Sequence, residues 1–507
     1  MKRAKEVDLL VVGGGINGAA IARDAAGRGL DVLLVERDDL AAHTSSASTK
    51  LIHGGLRYLE HFQFRLVRKS LLERERLLRT APHIVRPLRI VVPQAQSRRP
   101  AWLVRLGLLI YDHLGGRGSL PLTRTIRLDE DPLGRGLVAP IGSAFVYSDC
   151  TVDDSRLVIL NALDAHERGA RVCPRTELLA ARPDAGSWIA TLRDSDGDRD
   201  VRARVLVNAT GPWVSTLFDC LEAPRPAHGA RLVKGSHIVV PRLYAGDHAF
   251  LIQNFDGRIV FAIPFEDTFT LIGTTELWWD APVGKPAISG EEIAYLLDAA
   301  RRTFATKLDA NDVRWTFSGI RPLCDDHAAS ASAVTRDYAL DLQVGGAPLL
   351  SVFGGKLTTH RQLAEDAMGR LSRFFPRATG AWTGNATLPG GDIAQPPEAY
   401  ADTLRVRYPF LAHAQSQRLA RSYGSRAERM LGNAKGIAGL GETFGPDLTR
   451  REVDYLIAEE WARTAEDILF RRTKLGLHLP AEITQQVEAY VSTRLIHSPS
   501  GPNDRAA

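Results

Sequence analysis

The sequence predicts an α/β nucleotide-binding domain, a second sheet and a helical C-terminal domain, and three observations carry that prediction. A short apolar run, "VDLLVV" (7–12), leads into the glycine turn "GGGING", a small-residue helix "AAIARDAAGRG" and a second buried strand, "DVLLVE". Residues 231–280 hold several apolar runs rich in β-branched and aromatic side chains, the mark of a further sheet. From about residue 399 the pattern turns helical, as in "REVDYLIAEEWARTAEDILFRRT".

With 507 residues the chain can bury two or three domain cores. The surplus of 64 basic over 59 acidic side chains is too small for a dedicated nucleic-acid binder, so no nucleic-acid partner is expected. Four cysteines without a CxxC pair read as reduced thiols in a reducing compartment, with no metal bound. "MKRAKEV" is basic but precedes no apolar leader, and no run of 18 apolar residues follows. A cytoplasmic location is therefore expected, with any membrane contact peripheral.

Taken in order, "RLVRKSLLERERLLRT" (65–80) shows helical spacing with a charged outer face, and 85–145 reads as irregular and Pro/Gly-punctuated. "WIATLRDSDGDRDVRARVLVNATG" (188–211) reads as a hairpin, with "DSDGDRD" as a solvated turn. "APLLSVFGGKLTTHRQLAEDAMGRL" returns to strand, glycine turn and helix, and 377–398 reads as a linker.

The first chemical motif is Gly13-x-Gly15-x-x-Gly18, which directly follows a strand and opens a helix. Gly13 permits the tight turn, Gly15 lets the backbone approach a pyrophosphate, and Gly18 lets helix and strand pack closely. Glu36 ends the next strand, where a carboxylate accepts hydrogen bonds from a ribose. After Glu36 the chain does not run on through alternating strands and helices, as a doubly wound NAD domain would. It enters "TSSASTKLIHGGLRYLEH" (44–61), where six hydroxyl side chains surround Lys50, His53 and Arg57. Two distant strands also end in small-residue turns, at Ala209, Thr210 and Gly211 and at Gly354, Gly355 and Lys356. Such turns let a bulky planar ligand lie against backbone.

These stretches, with "YSDCTVDDSRLV", "KGSHIVVP", "IGTTE", "SGIRPLCDD" and "TRDY", follow one another in an order that resembles the aerobic, FAD-dependent glycerol-3-phosphate dehydrogenases, a branch of the amino-acid-oxidase-like flavoproteins. The resemblance implies a Rossmann-like, discontinuous FAD-binding domain (1–80, 145–215 and 315–377). Into it a mainly antiparallel substrate domain (81–144 and 216–314) is inserted, and a linker (378–398) leads to an all-α C-terminal domain (399–507). It implies cofactor contacts at Gly13, Gly14, Gly15, Asn17 and Gly18, at Glu36 and Arg37, and along Thr44, Ser45, Ser46, Ser48, Lys50 and Leu51. Further contacts are implied at Ala209, Thr210 and Gly211 and at Gly354, Gly355, Lys356, Leu357 and Thr358.

The reaction implied is oxidation of the secondary alcohol of glycerol 3-phosphate to the ketone of dihydroxyacetone phosphate, with electrons passed to a membrane quinone. Arginine binds phosphate through a planar fork of donors. Arg57, Arg321 and Arg336, with Tyr58 and Lys356, are accordingly the substrate-binding candidates. The hydroxyl proton needs a base and the developing negative oxygen needs positive charge nearby. His53 and His237 are equal candidates for the base, with Arg321 and Lys356 supplying charge. "RRPAWLVRLGLLIYDHLGGR" (98–117) has the composition of an interfacial segment, and equally of a core helix. Kept as alternatives are an oxidase that passes electrons to oxygen, an amine- or amino-acid-oxidising enzyme, and a flavin-bearing interaction protein without turnover. A homodimer remains an option. Lacking a presequence and calcium loops, the chain resembles the bacterial form.

Overall fold

The computed structural model describes residues 5–94, 99–226, 229–324 and 336–497. Arg98 and residues 325–335, which carry parts of three stretches quoted above, lie outside the described residues.

The first strand, Lys5–Val12, lies in the middle of an eight-stranded sheet. Leu9, Leu10 and Val11 are all buried, because a parallel strand covered on both faces has no solvent side to alternate with. It pairs in parallel with Gly197–Asn208 on one side and Val32–Glu36 on the other, Val11 facing Val207 and Leu34. Leu349–Gly354 extends the parallel order, Tyr338–Gln343 closes that edge antiparallel, and Arg171–Pro174 adds the strand beyond Val32–Glu36. The expected hairpin is Ser187–Asp194 with Gly197–Asn208, so the second of these strands serves the hairpin and the parallel sheet at once.

Helix Ile16–Gly27 lies on this sheet, wedged between helices Asp154–Glu167 and His360–Leu371. Alanine-rich surfaces let it approach closely, and its two buried charges are matched by Asp164 (Arg23, 2.5 Å) and Arg28 (Asp24, 2.8 Å).

The second sheet has ten strands, antiparallel throughout except where Ala249–Gln253 runs parallel to Val85–Pro93. Strands Ser143–Val152 and Trp315–Cys324 belong to it, pairing with Val85–Pro93 and Ala230–Pro241. The expected boundaries at 145 and 315 had placed both in the nucleotide-binding domain. An apolar strand reads the same in either sheet, and only its partner tells them apart. The stretch expected to be irregular, 85–145, contains that strand Val85–Pro93, helix Ala101–Leu114 and strand Arg124–Arg127.

The C-terminal residues fold around a separate core that includes Leu404, Leu419, Tyr423, Leu456 and Ile468. Residues 378–396 form neither helix nor strand, and helix Pro397–Arg407 begins inside the expected linker, yet the segment is fastened down. Trp382 donates its indole N–H to the Asp24 carbonyl, and the Leu388 N–H bonds the Thr80 carbonyl at 2.8 Å.

Buried ion pairs join the C-terminal domain to the rest. A π-helical turn, Asp467–Arg472, sends Arg471 and Arg472 onto Asp39, three residues after the strand that ends at Glu36. Arg471 Nε lies 2.7 Å and Arg472 Nη2 2.9 Å from the Asp39 carboxylate. Arg156 and Glu460 form a second fully enclosed pair, and Lys474 binds Asp153 at 3.1 Å.

Breaking one partner of a buried pair strands the other charge and costs about 3–5 kcal/mol. Asp39→Ala, which leaves the wholly buried Arg472 unmatched, is expected to lower unfolding stability by about that amount in a denaturant titration. The double variant Asp39→Ala/Arg472→Met should recover a good part of the loss. A double variant as unstable as the summed single changes would show that the two side chains are not coupled.

Candidate active site

Two cavities, of about 230 Å³ and about 760 Å³, meet along Ile16, Thr44, Ser45, Pro322 and Gly355. The smaller lies at the carboxyl ends of the parallel strands, where this sheet type binds ligands.

Its floor is backbone. Gly13 takes φ +115°, and a Cβ there would sit 2.5 Å from the Ala209 carbonyl oxygen. Gly355, at φ +101°, forms the opposite wall. Glu36 accepts the Gly14 N–H at 2.7 Å on one carboxylate oxygen and the Asp38 N–H at 2.9 Å on the other. Burial pushes the Glu36 carboxyl up from its ordinary value, and those two amides hold it back. Asn17 gives its amide N–H to the Gly354 carbonyl, while its buried Oδ1 has no hydrogen-bond partner among the described residues. Thr210, Gly211 and Arg37 also line this cavity, and Arg37 lies over the Trp213 ring at 4.4 Å. A glycine cradle at a helix N-terminus, a ribose-type carboxylate and an orphaned amide oxygen fit an adenine dinucleotide. Of the implied contacts here, Gly14 and Gly18 do not face the cavity. Gly14 serves Glu36, and Gly18 brings the helix so close that a Cβ would fall 1.9 Å from the Gly13 oxygen.

Residues 37–50 form a strap between the two cavities. Ser45 accepts the Ile16 N–H at 3.0 Å, and Thr44 donates to the Ile320 carbonyl at 2.6 Å. Two implied cofactor contacts, Lys50 and Ser46, line neither cavity. Lys50 is buried beneath the strap with its ammonium 2.8 Å from Asp154, because a lone buried ammonium needs a carboxylate. Ser46 turns to a separate cleft shared with Phe317 and Phe470. Ser48 borders the larger cavity but gives its hydroxyl to Asp154 at 2.7 Å. Leu51, Leu357 and Thr358 line the larger cavity.

The larger cavity gathers every residue proposed for the substrate: Arg57, Tyr58, Arg321, Arg336 and Lys356. Lys356 reaches the His53 and Gly54 carbonyls at 3.2 and 3.3 Å and lies 4.8 Å from the Tyr58 ring. Burial pulls its ammonium down to about 7. Burial also lowers Arg321, with Arg336 adding repulsion, and raises the Tyr58 phenol. Glu276, in the quoted stretch "IGTTE", was not singled out by sequence reasoning. Its carboxylate sits among the guanidiniums, 2.9 Å from Arg336 and 3.7 Å from both Arg57 and Arg321.

The structure separates the two histidines. His53 borders the larger cavity. His237 lies behind the wall, fully buried, with Nε2 3.0 Å from the Thr49 hydroxyl and its ring stacked on Phe317 at 4.8 Å. Burial, with nearby cations, holds both rings well below the ordinary histidine value, so both are neutral near pH 7. Residues 233–240 of the strand bearing His237 are all buried, so the motif "KGSHIVV" does not reveal which side of the sheet the ring takes.

The rest of the cavity is largely apolar, bordered by Leu56, Phe62, Phe64, Leu103, Leu106 and Phe261, with Arg99 paired to Glu60 at 2.5 Å. Helix Ala101–Leu114 closes this end. It buries Leu108 and Tyr111 and exposes Trp102, Leu103, Leu106 and Leu109, and Phe62 beside it is 81% exposed. Among the described residues, no helix is long and apolar enough to cross a membrane.

A family profile described as FAD dependent oxidoreductase matches residues 8–361, and one described as the C-terminal domain of alpha-glycerophosphate oxidase matches residues 381–495. The chain is 53% identical to a glycerol-3-phosphate dehydrogenase of Pseudomonas aeruginosa, over 98% of this chain and 97% of that protein. It is 51% identical to a D-erythritol 1-phosphate dehydrogenase of Brucella abortus, over 98% and 100%. With the aerobic glycerol-3-phosphate dehydrogenase of Escherichia coli it shares 49% identity, over 96% of this chain and 98% of that protein. Among solved structures, a glycerol-3-phosphate dehydrogenase from Bacillus halodurans complexed with FAD superposes with a TM-score of 0.74 at 26% identity, covering 97% of this chain and 95% of that one.

Glu36 accepts one backbone N–H on each oxygen, so Glu36→Gln must turn an amide NH₂ towards one of those donors. The turn then loses a hydrogen bond worth about 1–3 kcal/mol when left unmade. The expected result is a dinucleotide released about 5- to 100-fold more readily in an equilibrium dialysis titration. Unchanged retention would show that the carboxylate contributes nothing to the cradle.

Proposed function

Since the chain belongs to the FAD-dependent oxidoreductase family, we propose that it oxidises the secondary alcohol of glycerol 3-phosphate to the ketone of dihydroxyacetone phosphate and passes the electrons to a membrane quinone. The observation that carries this reading is one cavity, continuous with the dinucleotide cradle, that gathers Arg57, Arg321, Arg336, Lys356 and the neutral His53. An amino-acid substrate needs one cation for its carboxylate, whereas a phosphate bearing close to two negative charges needs several.

Bound FAD supplies the hydride acceptor. The chain's own part begins with Arg57, Arg321 and Arg336, which hold the phosphate and so fix the distance from it to the carbon that is oxidised. His53, neutral at pH 7, accepts the hydroxyl proton through a ring nitrogen. The Lys356 ammonium, near 7, lies against the His53 carbonyl and stabilises negative charge that grows on the alcohol oxygen. His237 orients Thr49 in the wall and does not touch substrate.

The apolar end of the cavity is the proposed exit for electrons. Leu103 and Leu106 are both cavity lining and exposed surface, so a quinone tail meets apolar side chains from the rim inwards. Trp102 and Leu109 continue that surface, and Arg105 and Arg117 are exposed alongside. This combination suits shallow burial in the headgroup region of an acidic bilayer. A second reading, D-erythritol 1-phosphate, is supported by the Brucella abortus relative, and the volume of the cavity admits a four-carbon chain.

The first test is an anaerobic absorption spectrum of the holoenzyme. Glycerol 3-phosphate should bleach the flavin bands and glycerol should not; faster bleaching by D-erythritol 1-phosphate would favour the second reading. His53→Asn is expected to slow the bleaching by about 10²–10⁴ while leaving the substrate concentration for half-saturation within a few-fold. A slower rate in His237→Asn than in His53→Asn would reverse the assignment of the base. For the exit, Leu106→Glu/Leu109→Glu should keep substrate bleaching and lose both sedimentation with acidic liposomes and reduction of an added long-chain quinone. Retained quinone reduction would place the exit elsewhere.

A further inference from the structure

A carboxylate in the middle of a phosphate-binding cluster needs an explanation. Glu276 is mostly enclosed, 14% exposed, and pairs with Arg336 at 2.9 Å while Arg57 and Arg321 each stand 3.7 Å away. Thr274, two residues before it, accepts a hydrogen bond from Arg321 at 3.2 Å, so the carboxylate and this guanidinium are held by the same short segment. Lys356 is engaged by the His53 and Gly54 carbonyls and by Ser70 at 3.2 Å. With Lys356, whose ammonium sits near 7, left out of the count, the three guanidiniums and Glu276 leave two positive charges, which a phosphate dianion neutralises. Without Glu276 the site would carry three, and would favour a ligand with a further negative group.

We propose that Glu276 is a specificity-determining residue that accepts a hydrogen bond from the hydroxyl at the substrate's non-phosphorylated end and, through its charge, excludes acids that bear a carboxylate there. The inference rests on the polyol-phosphate reading above and names how that site tells an alcohol from an acid. A site selects as much by repelling the wrong ligand as by holding the right one. The relevant competitor is 3-phosphoglycerate. It carries the same phosphate and the same secondary alcohol as glycerol 3-phosphate, and it differs in having a carboxylate where the latter has CH₂OH. That carboxylate would face Glu276 directly, whereas a hydroxyl in the same place donates to it.

The experiment compares, on the holoenzyme, the half-saturating concentration of glycerol 3-phosphate in anaerobic bleaching with the inhibition constant of 3-phosphoglycerate. Wild type should bind the acid at least tenfold more weakly than the alcohol. Glu276→Gln keeps the shape and an acceptor oxygen but loses the charge, so its inhibition constant for 3-phosphoglycerate should fall at least tenfold while half-saturation by glycerol 3-phosphate rises. Glu276→Asp keeps the charge and should retain the wild-type order of preference, and flavin content measured on each variant reports an intact fold. Constants for the two ligands that move together in Glu276→Gln would overturn the proposal, since a carboxylate that only pins arginines affects both alike. Equal binding of acid and alcohol by wild type would overturn it as well. A wild-type flavin that no polyol phosphate bleaches would instead remove the functional reading, and this inference with it.

Discussion

The start of helix Asp154–Glu167 is the point on which the rest of the molecule is assembled. Asp154 receives the Lys50 ammonium at 2.8 Å and the Ser48 hydroxyl at 2.7 Å, and so holds the end of the strap that separates the two cavities. Asp153, beside it, caps the helix through the Arg156 N–H and takes Lys474 from the C-terminal domain. Ser155 donates to the Arg471 carbonyl at 2.7 Å. Arg471 returns to Asp39 at the strap's other end. The strap is thus fastened at both ends to the same buried network, which includes the C-terminal turn. Paired buried charges are poor contributors to net stability but are strict about geometry, because every alternative arrangement strands an ion. What the network fixes is the path of residues 39–50, and with it the shared wall of the dinucleotide cradle and the substrate cavity.

This explains how much of the site could be read from sequence. The glycine turn, Glu36 and the two later glycine-ended strands were legible because each has a local cause. Gly13, Gly211, Gly354 and Gly355 all take positive φ, which only glycine adopts without strain. The cationic cluster was legible through its motifs, and all five candidates reach one cavity. What failed was direction. Lys50 and Ser46 lie in a hydroxyl-rich stretch that borders both cavities, but it is a 3₁₀ turn and a loop with no repeating period to say which side chains face inwards, and the network above sets which do. His237 failed for the same reason on a strand. Glu276 went unnoticed because a carboxylate has no evident place in an anion site until its three guanidinium neighbours are seen.

The fold was legible to a similar degree and for similar reasons. The strand–turn–helix unit, the presence of a second sheet and a helical C-terminal domain follow from local periodicity. The allocation of Ser143–Val152 and Trp315–Cys324 does not, since pairing partners are distant in sequence. Ser143–Val152 runs from the second sheet directly into the first domain's helix Asp154–Glu167, and Trp315–Cys324 carries Pro322 to the junction of the two cavities.

The arrangement also couples the chemistry to the surface. Tyr111, on the inner face of the helix that exposes Trp102 and Leu106, accepts the Gly54 N–H at 2.8 Å and donates to Asp149 at 2.8 Å. Asp149 is in turn held by Arg74 at 2.8 Å. Gly54 follows His53 directly, and both carbonyls receive Lys356. The apolar helix at the cavity's mouth is therefore anchored, through one phenol, to the peptide that carries the neutral histidine and its neighbouring ammonium. A helix that only covered a hydrophobic opening would need no such polar anchor at its core. One that leaves its outer face exposed while holding the inner end of the cavity at constant width does need it, because any pull on the exposed side chains would otherwise deform the site. Tyr111 is fully enclosed and its phenol is raised well above the ordinary value by burial and by Asp149, so it stays protonated and the anchor persists at any pH the fold survives.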